Sequence, residues 1–333
     1  MGIGDDPSVS LAAARRRCAL NIIWNYHAGP ALLAQLAGLR VQDYVVDVCT
    51  EQDDARLFEL LPRAEVLWHC LRPVNRAVLD AAPKLRLVQK IGVGVNTIDL
   101  EHAKARGIAV CNMPGTNSIA VAEQTLALML AALRRLREFD VDVRAGHGWS
   151  WSAERMDGLF EIHGRTVGLI GFGGVPQRLA PVLSAMGAKV LYTARSAKSN
   201  VNAEFVSLDR LLSESDIVSL HVPFTEATRN LINADALARM RRGSILVNTA
   251  RGALIDQEAL ADALRRGHIG AAGLDVLVRE PTAAVESLFD LPNAVLTPHV
   301  AWLTQETLTR SLDVAVANCN RLQGGEPLLH RIV

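Results

Sequence analysis

Short runs of hydrophobic residues alternate with stretches of helical periodicity along most of the chain, and the alternation falls into two blocks. The runs of the first block are Leu20–Trp24, Val45–Val48, Val66–Trp68, Leu85–Lys90 and Ile108–Cys111. Those of the second block are Thr166–Ile170, Lys189–Tyr192, Ile217–Val222, Ser244–Asn248, Ala271–Val276 and Ala294–Leu296. Strands that alternate with helices are typical of parallel sheets covered on both faces. The sequence therefore predicts an α/β fold with two doubly wound parallel-sheet domains.

Two amphipathic stretches lie outside this alternation. Ser118–Leu136 has hydrophobic residues at three- and four-residue spacing, which predicts a helix that links the blocks. Thr304–Leu322 is helical by pattern and has no strand of its own, so we expect it to return to the first block. The expected domains are then 1–116 with 301–333, and 117–300. Residues up to about Ala14 are expected to form a loose extension.

A glycine-rich turn follows the strand that opens the second block, in the sequence GLIGFGGVPQRLA. Gly171 allows a tight turn and Gly173 allows the backbone to approach a phosphate closely. A helix that begins there offers the free N–H groups of Gly174 and Val175 and the positive end of its dipole. Pro176 stands where the dinucleotide fingerprint usually has a third glycine, and proline is tolerated in a first helical turn. The turn predicts a pyrophosphate site, with a structural glycine turn as the alternative.

The next strand ends in a basic turn at the distance where NAD enzymes place a carboxylate on the ribose. Arg195, Ser196 and Lys198 occupy this turn, and no acidic residue does. A guanidinium binds phosphate in a bidentate manner, so the sequence favours NADP(H) and leaves NAD(H) possible. A solvated basic turn is the alternative interpretation.

Three polar residues follow three successive strands of the second block: Arg251, Glu280 and His299. Ligands of open parallel sheets bind at this carboxyl edge. Reduction of a 2-oxo acid needs a cation for the carboxylate and carbonyl and a proton donor for the oxygen, which are roles for Arg251 and His299. Glu280 would favour the imidazolium form of His299. Each residue alone has a structural alternative, as a surface charge, a helix-start acid or a capped core histidine.

The first block contains a second glycine turn, KIGVGVNTID, which could hold a substrate carboxylate. Gly92, Val93 and Gly94 leave backbone N–H groups exposed, and such nests bind anions. Leu71 is expected to contribute to the same pocket, and Arg72 could favour a second acidic group on the substrate. The alternative is an ordinary turn that ends a strand.

Composition favours a small-molecule partner. The chain has 333 residues, half of them hydrophobic, and 35 basic residues balance 35 acidic ones. Because the charges are interleaved, neither nucleic acid nor a membrane surface is expected as a partner. The five cysteines are scattered without metal-ligand spacing, so we expect no metal site and a reducing, cytoplasmic location.

The order of motifs resembles the D-isomer-specific 2-hydroxyacid dehydrogenases over roughly residues 60 to 320. The motifs are GVGVNTID, VAEQTLALML, GLIGFGGV, VNTARGALID, GLDVLVREP and LTPHVAW. The resemblance implies a Rossmann nucleotide domain, a flavodoxin-like substrate domain built from both chain ends, an active site in the cleft and a homodimer. It places the catalytic roles on Arg251, Glu280 and His299, and a nicotinamide-amide contact on Asp275. The run YTARSAK is similar to the NADP-using glyoxylate and hydroxypyruvate reductases of this family.

Further candidate cofactor contacts lie at the strand ends of the second block. We expect His221 and Pro223 to form a wall beside the cofactor, and Thr228, Thr249 and Ala250 to contact it. Trp302 is bulky where many relatives have a small residue, and in this it resembles the corepressor branch of the family. It could narrow the substrate pocket or stack on a flat substrate, or instead fill space between the domains. Asn96 stands where many members have Asp, a change that we interpret as structural.

These observations predict a reversible NADPH-linked reductase of a small 2-oxo acid, with glyoxylate or hydroxypyruvate as the expected substrate. A phosphorylated substrate of the 3-phosphoglycerate type, or another D-2-hydroxy acid, is the alternative within the family. The alternative class is a corepressor-like protein that senses NAD(P) without turnover. The complete set of Arg251, Glu280 and His299 argues against that class.

Overall fold

The computed structural model describes residues 19–150, 153–282 and 286–333. The loose extension expected up to Ala14 lies outside these ranges, and so does Cys18. The chain divides into two compact units: the described residues up to Pro114 together with Ser311–Val333, and Gly115–Arg310. These limits lie close to the boundary expected near residue 116 and ten residues beyond the one expected at 301.

The first unit is built on a parallel five-stranded sheet. Its strands are β1 (Leu20–Asn25), β2 (Tyr44–Cys49), β3 (Val66–His69), β4 (Leu87–Lys90) and β5 (Ala109–Cys111). Its helices are α1 (Pro30–Gly38), α2 (Asp54–Leu60), α3 (Arg76–Asp80) and α4 (Leu100–Ala105). The strand order β2-β1-β3-β4-β5 is the flavodoxin-like order. Strands β1, β3, β4 and β5 are almost entirely buried, as expected for a sheet covered on both faces.

The second unit begins with three helices and continues as a parallel seven-stranded sheet. The helices are α5 (Ser118–Leu133), α6 (Leu136–Arg144) and α7 (Ala153–Met156). The sheet region contains β6 (Thr166–Ile170), α8 (Gly174–Ala185), β7 (Lys189–Thr193), β8 (Glu204–Phe205), α9 (Leu208–Glu214), β9 (Ile217–Leu220), α10 (Ala234–Arg239), β10 (Ser244–Asn248), α11 (Gln257–Arg265), β11 (Ile269–Leu274) and β12 (Ala294–Leu296). The strand order is β12-β11-β10-β9-β6-β7-β8. This is the Rossmann order with one further strand, and its direction reverses between β6 and β9.

The last helix, α12 (Gln305–Gly324), contains the division between the units. Beyond this division it is bonded to the first sheet. The Asn318 amide donates to Gln89 Oε1 on β4 at 2.6 Å, and the Tyr44 hydroxyl donates to Asn320 Oδ1 at 2.7 Å. A chain segment from the C-terminus thus completes the first unit.

Polar caps begin many of the helices. In six of them the residue before the helix accepts a bond from a backbone N–H of the first turn, namely Asp53, Asn75, Asp99, Ser207, Asn233 and Asp256. Such caps stabilise a helix end by about 1 kcal/mol each. Helix α8 is preceded by Gly173, which provides no side-chain cap, so its first N–H groups are available to another acceptor.

The structure differs from the prediction in three elements. The helix predicted over Ser118–Leu136 ends at Leu133, because Arg135 adopts a left-handed conformation with φ of 50° and α6 starts directly after it. Strand β11 begins at Ile269, ahead of the predicted Ala271, because Ile269 pairs with Ser244 across a bulge. The short strand β8 was not predicted. Within the described ranges, no helix has both the length and the apolar character needed to cross a membrane.

Candidate active site

The glycine turn after β6 lies at the point where the strand order reverses. Gly171 has a φ of 96°, and a methyl group at this position would lie 2.7 Å from the carbonyl oxygen of His221 at the end of β9. Only glycine combines this conformation with so close an approach. A methyl group at Gly173 would meet no atom within 4 Å, so space is open beside the start of α8. The turn therefore has the cradle shape that a pyrophosphate requires.

Helix α8 leaves a small set of donors for such a ligand. Gly174 and Val175 are its first two residues, and Pro176 is the third and carries no N–H. The N–H of Gln177 already donates to the Gly173 carbonyl at 3.1 Å. The first turn can therefore bind an anion through Gly174 and Val175. Pro176 does not destabilise the helix there, because a residue in the first turn needs no N–H for a bond within the helix.

The basic turn follows β7 on the same edge of the sheet. Arg195, Ser196 and Lys198 are all exposed. The backbone N–H of Lys198 donates to the hydroxyl of the buried Tyr192 at 2.7 Å, and this bond fixes the turn to the strand. Two cationic side chains thus stand in solvent beside the strand end where the sequence predicts the ribose.

The end of β9 carries a neutral histidine. The His221 ring lies 3.0 Å from the Ser219 hydroxyl, and burial lowers the pKa of His221 to about 3. Pro223 follows, and its carbonyl accepts a bond from the Thr228 hydroxyl at 2.9 Å. Because the low pKa leaves His221 uncharged near neutral pH, this residue is not suited to donate a proton. Its predicted contact with the cofactor stays a prediction.

The turn after β10 is fixed by its own hydrogen bonds. The Asn248 side chain accepts from the Ala250 N–H at 2.9 Å and donates to the Arg251 carbonyl at 2.8 Å. The Thr249 hydroxyl lies 2.8 Å from that of Thr125 on α5. These bonds hold the backbone from which the Arg251 side chain projects.

The structure brings together the three residues that follow β10, β11 and β12, which are neighbours in the sheet. His299 Nδ1 lies 2.5 Å from Glu280 Oε2, and Glu280 Oε1 accepts a bond from the Leu277 N–H at 2.8 Å. Arg251 Nη1 donates to the Ala250 carbonyl at 2.6 Å. Burial lowers the pKa of the Arg251 guanidinium, and the Glu280 carboxylate acts in the opposite direction. Arginine remains charged nonetheless, since its ordinary pKa is above 12.

Gly252 permits the close approach of the loops that carry Arg251 and Glu280. A methyl group at Gly252 would overlap with the backbone of Leu277 and Val278 in the neighbouring loop. Any side chain there would push the two loops apart. Sequence reasoning did not identify this glycine, although it directly follows the predicted Arg251.

Asp275 is the most densely bonded carboxylate of the site. It is 1% exposed. Its Oδ1 accepts from the Thr297 hydroxyl at 2.5 Å and from the Val300 N–H at 3.0 Å, and its Oδ2 accepts from the Ala301 N–H at 2.9 Å. Burial raises the pKa of Asp275, and these bonds oppose that shift. Asp275 thus fixes the turn around His299, a function that the sequence did not reveal.

Trp302 ends this turn. Its side chain is buried, with 7% of the residue exposed, and its indole N–H donates to the His299 carbonyl at 3.1 Å. The substrate contact predicted for Trp302 stays a prediction. The bond to His299 is an additional structural fact.

The predicted substrate residues of the first unit lie at the carboxyl ends of β3 and β4. Gly92 has a φ of 143°, Val93 is exposed, and Gly94 is half-buried. The N–H groups of Leu71 and Arg72 both donate to Glu51 Oε1 at 2.7 Å. The Arg72 guanidinium bonds to Asp54 Oδ1 at 2.8 Å, so its charge already has a carboxylate partner.

Comparison with known proteins agrees with this architecture. Residues 126–301 match the family model of the D-isomer specific 2-hydroxyacid dehydrogenase NAD-binding domain. A glyoxylate reductase of Korarchaeum cryptofilum is 40% identical over 260 residues, which cover 76% of this chain and 78% of that protein. A D-3-phosphoglycerate dehydrogenase of Mycobacterium leprae is 42% identical over 269 residues, 79% of this chain, and the matched region spans half of that longer protein.

A solved structure supports the same relationship. The D-lactate dehydrogenase of Aquifex aeolicus, crystallised with NAD and lactic acid, superimposes with a TM-score of 0.81 and 28% identity, covering 92% of this chain and 96% of that one. Together these matches show that the chain is an oxidoreductase that uses a nicotinamide cofactor and belongs to the D-isomer specific 2-hydroxyacid dehydrogenase family.

Proposed function

We propose that this enzyme is an NADPH-linked reductase of a small 2-oxo acid, with glyoxylate or hydroxypyruvate as its substrate. The observation that carries the proposal is the group formed by Arg251, Glu280 and His299 at the ends of three adjacent strands. A guanidinium, a carboxylate and an imidazole are what reduction of a 2-oxo acid requires of the protein. A protein that only sensed NAD(P) would need none of them.

Each of the three residues has a distinct task. Arg251 holds the substrate carboxylate and polarises the carbonyl oxygen at C2. NADPH, when bound, supplies the hydride that forms the new C–H bond at C2. The electron pair of the breaking C=O π bond moves to oxygen, which takes a proton from Nε2 of His299. Glu280, whose Oε2 lies 2.5 Å from Nδ1, orients the ring and places a negative charge beside it.

Replacement of His299 tests the reaction type. In His299→Ala we expect kcat to fall by about 10²- to 10⁴-fold, the usual contribution of a general acid, while the Kd of NADPH stays within a few-fold. His268→Ala is the matched control, since His268 lies before β11 at the opposite edge of the sheet and its ring nitrogen contacts the Leu237 carbonyl at 2.9 Å. Turnover retained in His299→Ala would remove the assigned proton donor.

The preference for NADP(H) is proposed from the exposed Arg195 and Lys198 after β7. Each charge-assisted bond to the 2′-phosphate contributes about 1.5–3 kcal/mol, which corresponds to a preference of tenfold to several hundredfold. We expect Arg195→Gln and Lys198→Gln to weaken NADPH binding and leave NADH binding unchanged. Arg266→Gln, an exposed arginine after α11, is the control. A native enzyme that binds NADH as tightly as NADPH would contradict this preference.

A small substrate is proposed because the side chain that the sequence offers for a second acidic group already has a carboxylate partner. Arg72, the candidate for that task, is bonded to Asp54. An NADPH-oxidation screen over glyoxylate, hydroxypyruvate, pyruvate, phenylpyruvate and 3-phosphohydroxypyruvate tests the proposal. We expect the highest kcat/KM with the first two. A preference for the phosphorylated acid would replace this substrate class by that of the phosphoglycerate dehydrogenases.

We also propose a homodimer formed through the second unit. Around α6 an exposed apolar segment comprises Leu136, Val141, Val143, Trp149 and Met156, and Trp149 is 92% exposed. Contiguous exposed apolar residues are typical of a protein interface. Sedimentation equilibrium should show a dimer that Val141→Asp with Val143→Asp weakens. A monomeric native protein would contradict this assembly.

A reducing location such as the cytoplasm is proposed from the thiols. The described cysteines, Cys49, Cys70, Cys111 and Cys319, are free and buried. Free thiols persist in reducing compartments. Thiol titration of the denatured protein purified without reductant should recover each of these four thiols, and paired cysteines would contradict the location.

A further inference from the structure

His299 has a backbone conformation that other parts of the protein must maintain. Its φ is 54°, in the left-handed region. For a residue with a side chain this region costs on the order of 1–3 kcal/mol, and such residues persist only where the surroundings over-determine them. The catalytic ring therefore points where it does because neighbouring groups hold its two flanking peptides.

Both flanking peptides are held by residues of the second unit. The His299 N–H donates to the Asp275 carbonyl at 2.7 Å, and the Asp275 carboxylate accepts the Val300 N–H at 3.0 Å. On the other side, the His299 carbonyl accepts the indole N–H of Trp302 at 3.1 Å. Because the indole is buried, that bond is shielded from competing water.

We propose that Trp302 is a positioning residue, whose indole N–H holds the His299 carbonyl and so aims the imidazole at Glu280 and the substrate. The inference rests on the proposed function, in which His299 donates the proton. When the carbonyl is released, the peptide between His299 and Val300 keeps only the bond from the Val300 N–H to Asp275, so it is held on one side instead of two. The His299 ring is then less firmly held against Glu280 Oε2, and fewer molecules hold an oriented donor.

Trp302→Phe tests this role, because phenylalanine keeps an aromatic ring and loses the N–H. We expect kcat to fall about tenfold, with the KM of the oxo acid within twofold and the Kd of NADPH, measured by calorimetry, unchanged. The pH profile of kcat/KM should differ from that of the native enzyme, because fewer molecules then make the contact between His299 and Glu280.

Trp24→Phe is the matched control. Trp24 is fully buried in β1 of the first unit, and its indole N–H donates to the His27 carbonyl at 3.4 Å. This variant loses a similar bond remote along the fold from the His299 turn. We expect it to lower the melting temperature and to leave kcat and the pH profile as in the native enzyme.

Thr297→Val provides a second route to the same turn. It removes the bond from the Thr297 hydroxyl to Asp275 at 2.5 Å, and we expect it to change kcat and the pH profile in the same direction. If Trp302→Phe does not fold, Trp302→Tyr, which also lacks the indole N–H, takes its place. A native kcat and pH profile in that variant would overturn the inference, whatever Thr297→Val shows.

The outcomes separate this inference from the proposed function. Turnover retained in His299→Ala defeats the proposed function, whatever Trp302 does. An inactive His299→Ala together with a native kcat and pH profile in Trp302→Phe overturns the positioning role alone. A change in Trp302→Phe confined to the KM of a flat substrate such as phenylpyruvate also overturns it, since that result assigns the indole to substrate stacking.

Discussion

Replacing Glu280 by glutamine removes one charge from the catalytic group and preserves its shape. The amide oxygen of the new side chain can still accept the bond from His299 Nδ1, and the side chain can still contact the Leu277 N–H that Glu280 now binds at 2.8 Å. What disappears is the negative charge 2.5 Å from the ring, and with it the carboxylate that acts on the Arg251 guanidinium. The substitution therefore isolates the electrostatic part of the role of Glu280.

The size of the effect follows from the two kinds of hydrogen bond. A bond to a charged group contributes about 1.5–3 kcal/mol and a neutral one about 0.5–1.5 kcal/mol. Their difference of about 1–1.5 kcal/mol applies to the protonated ring, which the reaction consumes, and corresponds to a roughly 5- to 12-fold fall in kcat/KM for reduction. The Glu280 side chain is 32% exposed, so solvent screening places the expected value toward the lower end.

The assay is a pH series of NADPH oxidation for the native enzyme, Glu280→Gln and Glu280→Ala. We expect kcat/KM to fall and its pH profile to change in both variants, with a larger loss in Glu280→Ala, which also leaves the Leu277 N–H without its acceptor. Glu258→Gln is the control, because Glu258 is a carboxylate on α11 that accepts only the Ser287 hydroxyl bond among the described residues. An unchanged pH profile in Glu280→Gln would refute the charge argument.

Three further predictions concern stability. Gly171→Ala should lower the free energy of unfolding by about 2 kcal/mol in urea titrations, because φ is 96° and the His221 carbonyl oxygen lies 2.7 Å from the added methyl group. In Gly173→Ala the methyl group meets open space and should cost little stability, so equal losses in the two variants would contradict this reasoning. Asn318→Ala should destabilise the protein by about 2 kcal/mol, since it leaves Gln89 Oε1 unpaired in a buried site and removes the bonds to two backbone groups of the half-buried Leu329. A loss under about 0.5 kcal/mol would contradict that reasoning. Because the pKa of His221 is lowered to about 3, the unfolded chain binds a proton at this residue below about pH 6.5 and the folded chain does not. The free energy of unfolding should therefore fall as the pH falls toward 3, by up to about 1.4 kcal/mol per pH unit. His221→Gln should flatten that slope in acid titrations, and an unchanged slope would contradict the assignment.

The strands were predictable because buried parallel strands are continuous hydrophobic runs, as β6 and β10 are. Strand β8 was missed for the opposite reason, since Glu204 and Phe205 are both exposed and pair over two residues only. The end of α5 was missed because hydrophobic spacing continues to Leu136. The helix is broken by the left-handed conformation of Arg135, which the spacing of hydrophobic residues does not predict.

The proximity of Arg251, Glu280 and His299 was predictable because strand order places the ends of neighbouring parallel strands at one edge. Residues that directly follow β10, β11 and β12 had to lie near one another once the sheet was known to be parallel. The contact of His299 with Glu280 at 2.5 Å depends in addition on how the turn around His299 is held. Sequence order and sheet geometry together determine that these three residues lie near one another.

The support around His299 could not be read in the same way, because it depends on backbone orientation. A turn from Thr297 to Trp302 is compatible with many conformations, and the one observed requires a φ of 54° at His299. The sequence LTPHVAW does not show whether the Trp302 indole faces a substrate or donates its N–H to the His299 carbonyl. Asp275 likewise has a carboxylate suited to an amide ligand, yet three groups of its own chain bind it. In this site, identity of the reacting groups follows from position along the strands, whereas their orientation follows from bonds that only the folded backbone reveals.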